Sequence, residues 1–436
     1  MSKILLKILT KRIESKANLI LSDTQFGFRR GCGTREAIGV MRALCERNLE
    51  FGNDLFICFV DFEKAFDRVD WVKMLDILKS IRVDWRDRRL IRNLYMQQKA
   101  VVKVMQEYSE ESDIGRGVRQ GCCMSPLLFS LYAEAMMMEA MEGIEEEIEQ
   151  CIDAKMEMED IASLEEGIRV GSRLLRDVRF ADDQAMVAST ERGLQNIMDR
   201  LNKTAQKYGM KINIKKTKVM RVSRKGGGKA SINIEGGTIE QVLSFKYLGS
   251  TVTEDGRCEI EVKIRIALAK EAFSKRKELL TKNLSKRVRK NLVKTLVWTT
   301  LLYGAETWTL GAEEIRRLEA TEMWFWRRME KISWTDKISN EEVLRRVGEE
   351  RHLMNLLRNR KKNWIGHVLR GEGLMREVIE GRMYGKRGRG RPRTKMFDDL
   401  MLYVSKESTY FDMKRRAENR EEWRKWIPWT CRKAEY

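Results

Sequence analysis

Three aspartates stand where carboxylates are costly to place. Asp61 ends the apolar run LFICFV, and Asp182 and Asp183 interrupt VRFADDQAMVAS. A buried carboxylate without a partner is expensive, so such a segment turns its acids into solvent or holds them for a cation. Carboxylate oxygens suit hard divalent ions. Three of them on two adjacent strands could hold two Mg²⁺ ions about 3.5–4 Å apart. Such a pair activates a hydroxyl nucleophile and stabilises the leaving group of an in-line displacement at phosphorus. An Asp-Asp pair by itself is also what an ordinary surface turn contains, because acids favour turns.

Composition narrows the field. The chain has 436 residues, 42% of them hydrophobic and 34% charged, enough for two or three domains with real cores. Its formal charge of +20 favours a polyanionic partner, nucleic acid first and an acidic membrane surface second. No run reaches the roughly 18–20 apolar residues that span a bilayer, and no membrane partner is expected. The opening MSKILLKILTKRIESK reads as a basic amphipathic helix, without the apolar core and cleavage site of a signal peptide. The eight cysteines lack zinc-site spacing, and the chain is too large to need disulfide staples. Free thiols in a reducing compartment are expected, hence an intracellular location in the nucleus and/or cytoplasm. The two histidines, His352 and His367, lie far from any acid–nucleophile grouping. That sets histidine catalysis aside and leaves carboxylates with a metal.

The acids need elements to position them. LFICFV (55–60) has the length and content of a strand, and FEKAFDRVDWVKMLDIL after it takes helical spacing. VRF and QAMVAS read as short strands around ADD. Strand alternation sends neighbouring side chains to opposite faces, so a hairpin turn at ADD is what lets both acids reach one ion cluster. Residues 1–50 read as mostly helical, broken at Gly27, Gly31 and Gly33. AVVKVMQEY (100–108) reads as a strand, and SPLLFSLYAEAMMMEAM (125–141) as a helix with Ser125 as N-cap and Pro126 in the first helical position. An acid-rich segment (142–166) without a motif follows, then a helix over roughly 191–207 and a strand-rich region through KYLGSTV (246–252). Beyond about 259 the pattern is helical, basic and rich in tryptophan, including Trp298, Trp308, Trp324, Trp326, Trp334 and Trp364. These rings either stack on unpaired bases or, at helical spacing, fill a core. KNLSKRVRKNLVK (282–294) suits phosphate contacts or a solvated helix face. RGRP (389–392) reads as part of a nucleic-acid-binding linker, with a core similar to an AT-hook.

The series FVDFEKAFDRVDW, GVRQGCCMSPLLFSLY, FADDQAMVAS, GMKINIKKTKVM and FKYLGSTVTEDG resembles, in order, the successive polymerase motifs of reverse transcriptases. In detail it resembles those of non-LTR (LINE-type) retrotransposons, and QFGFRRGCGTREAI is similar to that family's fingers motif. The ordered motifs cover about residues 1–255, and the likeness continues more loosely through WIGHVLR and GRGRPR. The resemblance implies an α/β (α+β) polymerase palm with fingers, an α-helical thumb and a basic α-helical C-terminal region. Partial fingers would occupy 1–50, the palm 51–258 with the acidic insertion 142–166, the thumb 259–310 and the basic Trp-rich region 311–436. It also implies an RNA-directed DNA polymerase that uses two Mg²⁺ ions, with Mn²⁺ as a substitute. Its partners would be an RNA template, a DNA primer and dNTPs.

Site residues follow from the same resemblance. Asp61, Asp182 and Asp183 would be the metal ligands, with the Phe62 carbonyl an additional one. Phe66 matches the aromatic gate that excludes a 2′-hydroxyl, a reading favoured over an ordinary core residue of the helix. Gln120 and Gly121 would contact the incoming nucleotide and the template base pair. Lys216 would sit near the pyrophosphate, with Lys215 and Lys218 as competitors. Arg29 or Arg30 would clamp the triphosphate, Arg being suited to bidentate phosphate contact. Tyr247, Leu248 and Gly249 match the primer grip. Phe180 replaces the more familiar tyrosine, and Met124 a leucine. The first fingers strand and the endonuclease of such elements are missing, so a fragment is expected. Two rival readings stand beside the polymerase: a catalytically inactive nucleic-acid-binding remnant, and an RNA-templated RNA polymerase. A basic helical scaffold leaves the ordered motifs unexplained.

Overall fold

The computed structural model describes residues 2–436 except 97, 143–165, 225, 227, 283, 388–391, 402–409 and 427–436. Most of the acidic segment and of RGRP therefore lies outside the described residues. The chain opens with helices α1 (Ser2–Ala17) and α2 (Thr34–Phe51), joined by the QFGFRRG loop. It forms two compact units, residues 1–37 with 53–243 and residues 38–52 with 244–436.

The first unit is built on a five-stranded sheet of β1 (Leu55–Val60), β2 (Asp177–Phe180), β3 (Asp183–Ala188), β4 (Lys218–Val222) and β5 (Glu240–Gln241), in the order β5-β4-β1-β3-β2. All neighbours are antiparallel except β4 and β5. All six residues of β1 are buried, which explains why its sequence is continuously apolar rather than alternating. Helices α3 (Trp71–Ser80), α4 (Trp85–Tyr95), α5 (Ser125–Met141) and α6 (Glu191–Lys207) complete the unit. On α6 the buried residues Leu194, Ile197, Met198, Leu201 and Ala205 recur at helical spacing, and Thr190 caps the helix by accepting from Gly193 N at 3.0 Å.

Two local expectations need correction. Met124, not Ser125, is the N-cap of α5, and the buried Ser125 hydroxyl pairs instead with Tyr95 Oη at 3.3 Å. Residues 100–108 do not form one strand. Lys103–Val104 folds back on Glu107–Tyr108 through a turn with Met105 at φ +54°, and Gln98–Ala100 pairs with Ser112–Ile114. Val101, Val102 and Val104 there are exposed, so no core selects a single extended run.

The second unit holds the hairpin β6 (Ser244–Tyr247) and β7 (Ser250–Thr253), followed by helices α7 (Glu259–Lys275), α8 (Lys277–Thr281), α9 (Lys286–Leu292), α10 (Ala312–Met329), α11 (Asn340–Val347) and α12 (Leu353–Arg370). Buried Glu261 on α7 ties the hairpin to the helices, accepting from Thr251 N at 2.8 Å and Ser250 Oγ at 3.1 Å while pairing with Arg265 at 2.7 Å. Trp298, Trp308 and Trp326 are buried in this unit's core, and Trp364 is buried too, as helical spacing allows.

Candidate active site

Strands β2 and β3 make a hairpin closed by the pair Phe180–Asp183, with Ala181 and Asp182 as its two-residue loop. Ala181 adopts φ +59°, the left-handed geometry that short hairpin loops need to match strand twist. Strand β1 pairs with the other edge of β3, Val60 opposite Gln184. One further step along that register brings Asp61 opposite Asp183. Directly opposed residues on antiparallel strands hold their Cβ atoms about 4.5–5.5 Å apart. All three acids thus gather at one end of the sheet.

Asp182 and Asp183 are exposed and Asp61 is half-buried, so a cation can reach this edge. The surrounding protein still strips enough water to matter. The Asp183 carboxyl is pushed up from 3.8 to about 6, first by desolvation and then by the charges of Asp182 and Asp61. Asp182 moves up as well, from desolvation first and repulsion by Asp61, against a backbone hydrogen bond that opposes the rise. Lys216 Nζ comes within 3.8 Å of Asp61 Oδ2, and both groups are exposed enough for the pair to contribute little. Its competitor Lys218 is occupied by Glu240 at 2.6 Å and the Lys215 carbonyl at 2.7 Å. Among the described residues, no three His, Cys, Asp or Glu side chains are drawn together tightly enough to hold an ion as they stand. The fit to a divalent cation therefore rests on hard oxygen donors and a negative charge that the protein leaves unbalanced.

The QFGF segment braces the acidic turn. Phe26 N donates to Arg179 O at 2.8 Å and Arg179 N to Thr24 O at 2.9 Å, extending the sheet beyond β2. The fully buried Gln25 offers Oε1 to Gly27 N at 3.0 Å and to Ala181 N at 3.1 Å. A Cβ on Gly27 would lie 2.4 Å from Ala181 N, so only glycine lets the two segments approach this closely. Beneath the turn, buried Arg179 bridges Glu134 at 3.1 Å and Asp177 at 3.3 Å.

Beside Asp61 lies a cleft of about 640 Å³ lined by Lys64, Asp67, Arg68, Arg116 and Lys216 among others. Arg68 is paired with Glu63 at 3.0 Å, whereas Arg116 is exposed without an ion pair among the described residues. Buried Phe62 bridges to Ile212, and the bonds on either side, Asn213 N to Asp61 O at 2.8 Å and Glu63 N to Lys211 O at 2.9 Å, do not use the Phe62 carbonyl. The half-buried Phe66 ring stacks on Phe129, centroids 4.6 Å apart. Gly117, at φ +97°, lets the GVRQG loop press against Asp67, with Val118 N donating to Phe66 O at 2.8 Å. That brings Gln120 Nε2 to 3.5 Å from Asp67 Oδ1, while Gly121 faces open space.

The family profile described as reverse transcriptase (RNA-dependent DNA polymerase) matches residues 1–252. The chain belongs to the reverse transcriptase family. A transposon-derived protein of Caenorhabditis elegans is 28% identical over 47% of this chain and 75% of its own length. The Pol polyprotein of the type-1 retrotransposable element R2 from Nasonia vitripennis is 26% identical over 60% of this chain, and the RNA-directed DNA polymerase from the mobile element jockey of Drosophila melanogaster 24% identical over 73%. The chain spans 24% and 33% of those two relatives. The expected kinship with LINE-type retrotransposon sequences holds. The solved apo telomerase of Candida tropicalis aligns with 86% of the chain at 13% identity and a TM-score of 0.39.

Within this reverse transcriptase the remaining motif residues have their own settings. Arg29 donates to Ser22 O at 3.0 Å and pairs with Asp23 at 3.3 Å, whereas Arg30 is exposed without an ion pair among the described residues. Tyr247, Leu248 and Gly249 belong to the second unit. Tyr247 is buried, and Leu248 and Gly249 form the β6–β7 turn at φ +49° and +78°. The Leu248 carbonyl accepts from Tyr303 Oη at 2.9 Å, and Arg265 donates to the Gly249 carbonyl. Sequence reasoning missed Gln25, Gly27, Arg116 and Arg179. Gln25 and Gly27, two residues apart in QFGFRRG, were one available signal, and Arg179 beside Asp177 in a short strand was another.

Proposed function

We propose that the chain is an RNA-directed DNA polymerase that joins dNTPs to a primer 3′-hydroxyl on an RNA template. One observation carries this reading: the β1–β3 ladder ends at Val60–Gln184, so that Asp61 and Asp183 follow it at an open sheet edge whose negative charge the protein does not balance. The sheet with α5 and α6 is read as the palm, the QFGFRRG loop as a remnant of the fingers, and the helices from α7 as the thumb. Asp61, Asp182 and Asp183 would hold two Mg²⁺ ions, or Mn²⁺, with the Phe62 carbonyl as a further ligand. Bound divalent ions lower the pKa of a hydroxyl nucleophile and stabilise charge on departing pyrophosphate.

The chain's own groups do the rest. Lys216, held beside Asp61, supplies a cation to the leaving phosphates. Arg30, without the partners that occupy Arg29, and Arg116 in the cleft offer guanidinium forks to the triphosphate. Phe66, stiffened by its stack on Phe129, would lie under the deoxyribose. Gln120 and Gly121 face the incoming nucleotide, and Tyr247, Leu248 and Gly249 guide the primer end.

Primer extension on poly(rA)/oligo(dT), with Mg²⁺ or Mn²⁺, tests the proposal. Metal-dependent product that disappears in Asp182→Asn supports it. No product from folded protein favours the second reading, an inactive nucleic-acid-binding remnant, which draws support from the absence of a closed ligand group among the described residues.

A further inference from the structure

The second unit treats one tryptophan unlike the buried ones. Trp298, Trp308, Trp326 and Trp364 are buried, but Trp334 is 90% exposed. An indole left in water forgoes a large apolar burial. Nor is it carried on a slack loop. Trp334 opens a short 3₁₀ turn, Trp334–Asp336, in which Ser333 N donates to Asp336 Oδ2 at 2.7 Å and Thr335 N to Ser333 Oγ at 3.3 Å. Lys331 and Lys337 flank the turn in the left-handed region, at φ +58° and +48°. The ring is presented on a fixed mount.

It borders a groove of about 670 Å³ whose lining includes Lys277, Lys282, Trp324, Arg328 and Lys331. No carboxylate is among the described lining residues. Trp324 already holds two cations near its ring, Lys270 Nζ and Arg328 Cζ, each 5.3 Å from the centroid. The neighbouring basic run behaves differently. Lys286 and Arg289 share Glu330, and Lys290 and Lys294 share Glu349, so two carboxylates offset part of the charge of α9 and its extension within the unit. Among the described residues, Lys282 is the one groove cation with an ion pair, to Glu278 at 3.9 Å, and that pair is too exposed to quench its charge.

An exposed indole on a capped turn, beside unbalanced cations, matches single-stranded nucleic acid, whose bases offer free π-faces and whose phosphates track positive grooves. Duplex DNA or RNA keeps its base faces stacked and has nothing to lay on the ring. An acidic lipid surface would meet the same charges but offers no π-face for the ring to stack on, and phosphatidylserine vesicles serve as its control in the test below. We propose that this groove binds single-stranded nucleic acid, one base stacking on Trp334 and the backbone running along Lys277, Arg328 and Lys331. The chemistry is shared by RNA and DNA. The site lies beyond the residues matched by the family profile and does not depend on polymerase activity.

Fluorescence anisotropy of the full chain with labelled oligo(rU), oligo(dT) and a blunt duplex of equal length tests it. Trp334→Ala should weaken single-strand binding by about 5- to 50-fold. Trp334→Phe should retain most of the affinity, and duplex binding should hold in both. Lys331→Ala should flatten the salt dependence for single strands by roughly 0.7 in log–log slope. Unequal losses for oligo(rU) and oligo(dT) would assign the preferred sugar. Unchanged single-strand affinity in Trp334→Ala overturns the proposal. So does an equal loss for the duplex, or a loss confined to phosphatidylserine vesicles. Trp334 is exposed, so its replacement should leave the thermal melt in place, and a folded variant makes each outcome readable.

Discussion

Two carboxylate groups lie along one hairpin and meet opposite fates. Asp177, with Glu134, is buried against Arg179, and charge is answered by charge inside the protein. A few residues on, Asp182 and Asp183 face solvent with Asp61, repel one another and receive only a long, exposed contact from Lys216. The difference teaches where the fold spends its cations. A buried acid without a partner is costly, and Arg179 is committed there. An exposed acid can be left short of charge, and that shortage is what a divalent ion would fill.

The comparison can be broken most sharply at the open cluster. Asp183→Asn should lower primer extension by at least about a thousandfold while leaving the melting temperature unchanged or raised, because it removes repulsion rather than support. Steady-state extension assays beside a thermal melt check both halves. At the closed cluster the pattern should invert. Arg179→Met leaves two buried carboxylates uncompensated and should cost about 3–5 kcal/mol in denaturant unfolding.

A subtler separation lies at Gln25. Gln25→Met orphans the Ala181 and Gly27 amides and should cost about 1–3 kcal/mol. It should also lower kcat more than it raises KM for dNTP, with Gln25→Glu, which keeps an acceptor, recovering part of kcat. A change confined to stability would make Gln25 an ordinary core residue. The smallest effect concerns pH. The Asp183 carboxyl sits at about 6 against an ordinary 3.8, so the folded state holds its proton more tightly than the unfolded chain. Stability from this group is therefore lost as pH rises from about 4 through about 6. Mg²⁺ should offset that loss, and its stabilising shift in melting temperature should be larger at neutral pH than below pH 4. Equal shifts at both would separate Mg²⁺ binding from these acids.

Much of the polymerase sheet was legible because its signals are local. LFICFV is short, apolar and bounded by an acid, and it forms β1 over the residues expected. The 191–207 helix shows an apolar stripe at helical spacing, and the ADD turn follows from two apolar runs too close for any other connection. The failure at 100–108 has the same origin in reverse. A run rich in β-branched valine imitates a strand, but on an exposed arm nothing distant enforces it. The basic run at 282–294 advertised phosphate contacts, yet Glu330 and Glu349, distant in sequence, engage four of its cations.

By itself the sequence determined which chemistry was available: the three aspartates, the order of the motifs around them and the elements that carry them. Periodicity and turn composition are read over a few residues, so no long-range knowledge was needed. Only the tertiary structure decided which charges are neutralised and which stay open. It buried Arg179, set Gln25 under the Ala181 turn, and left Trp334 in water while its neighbours filled the core. Burial and ion pairing are sums over contacts between residues far apart in the chain, and no local pattern records them.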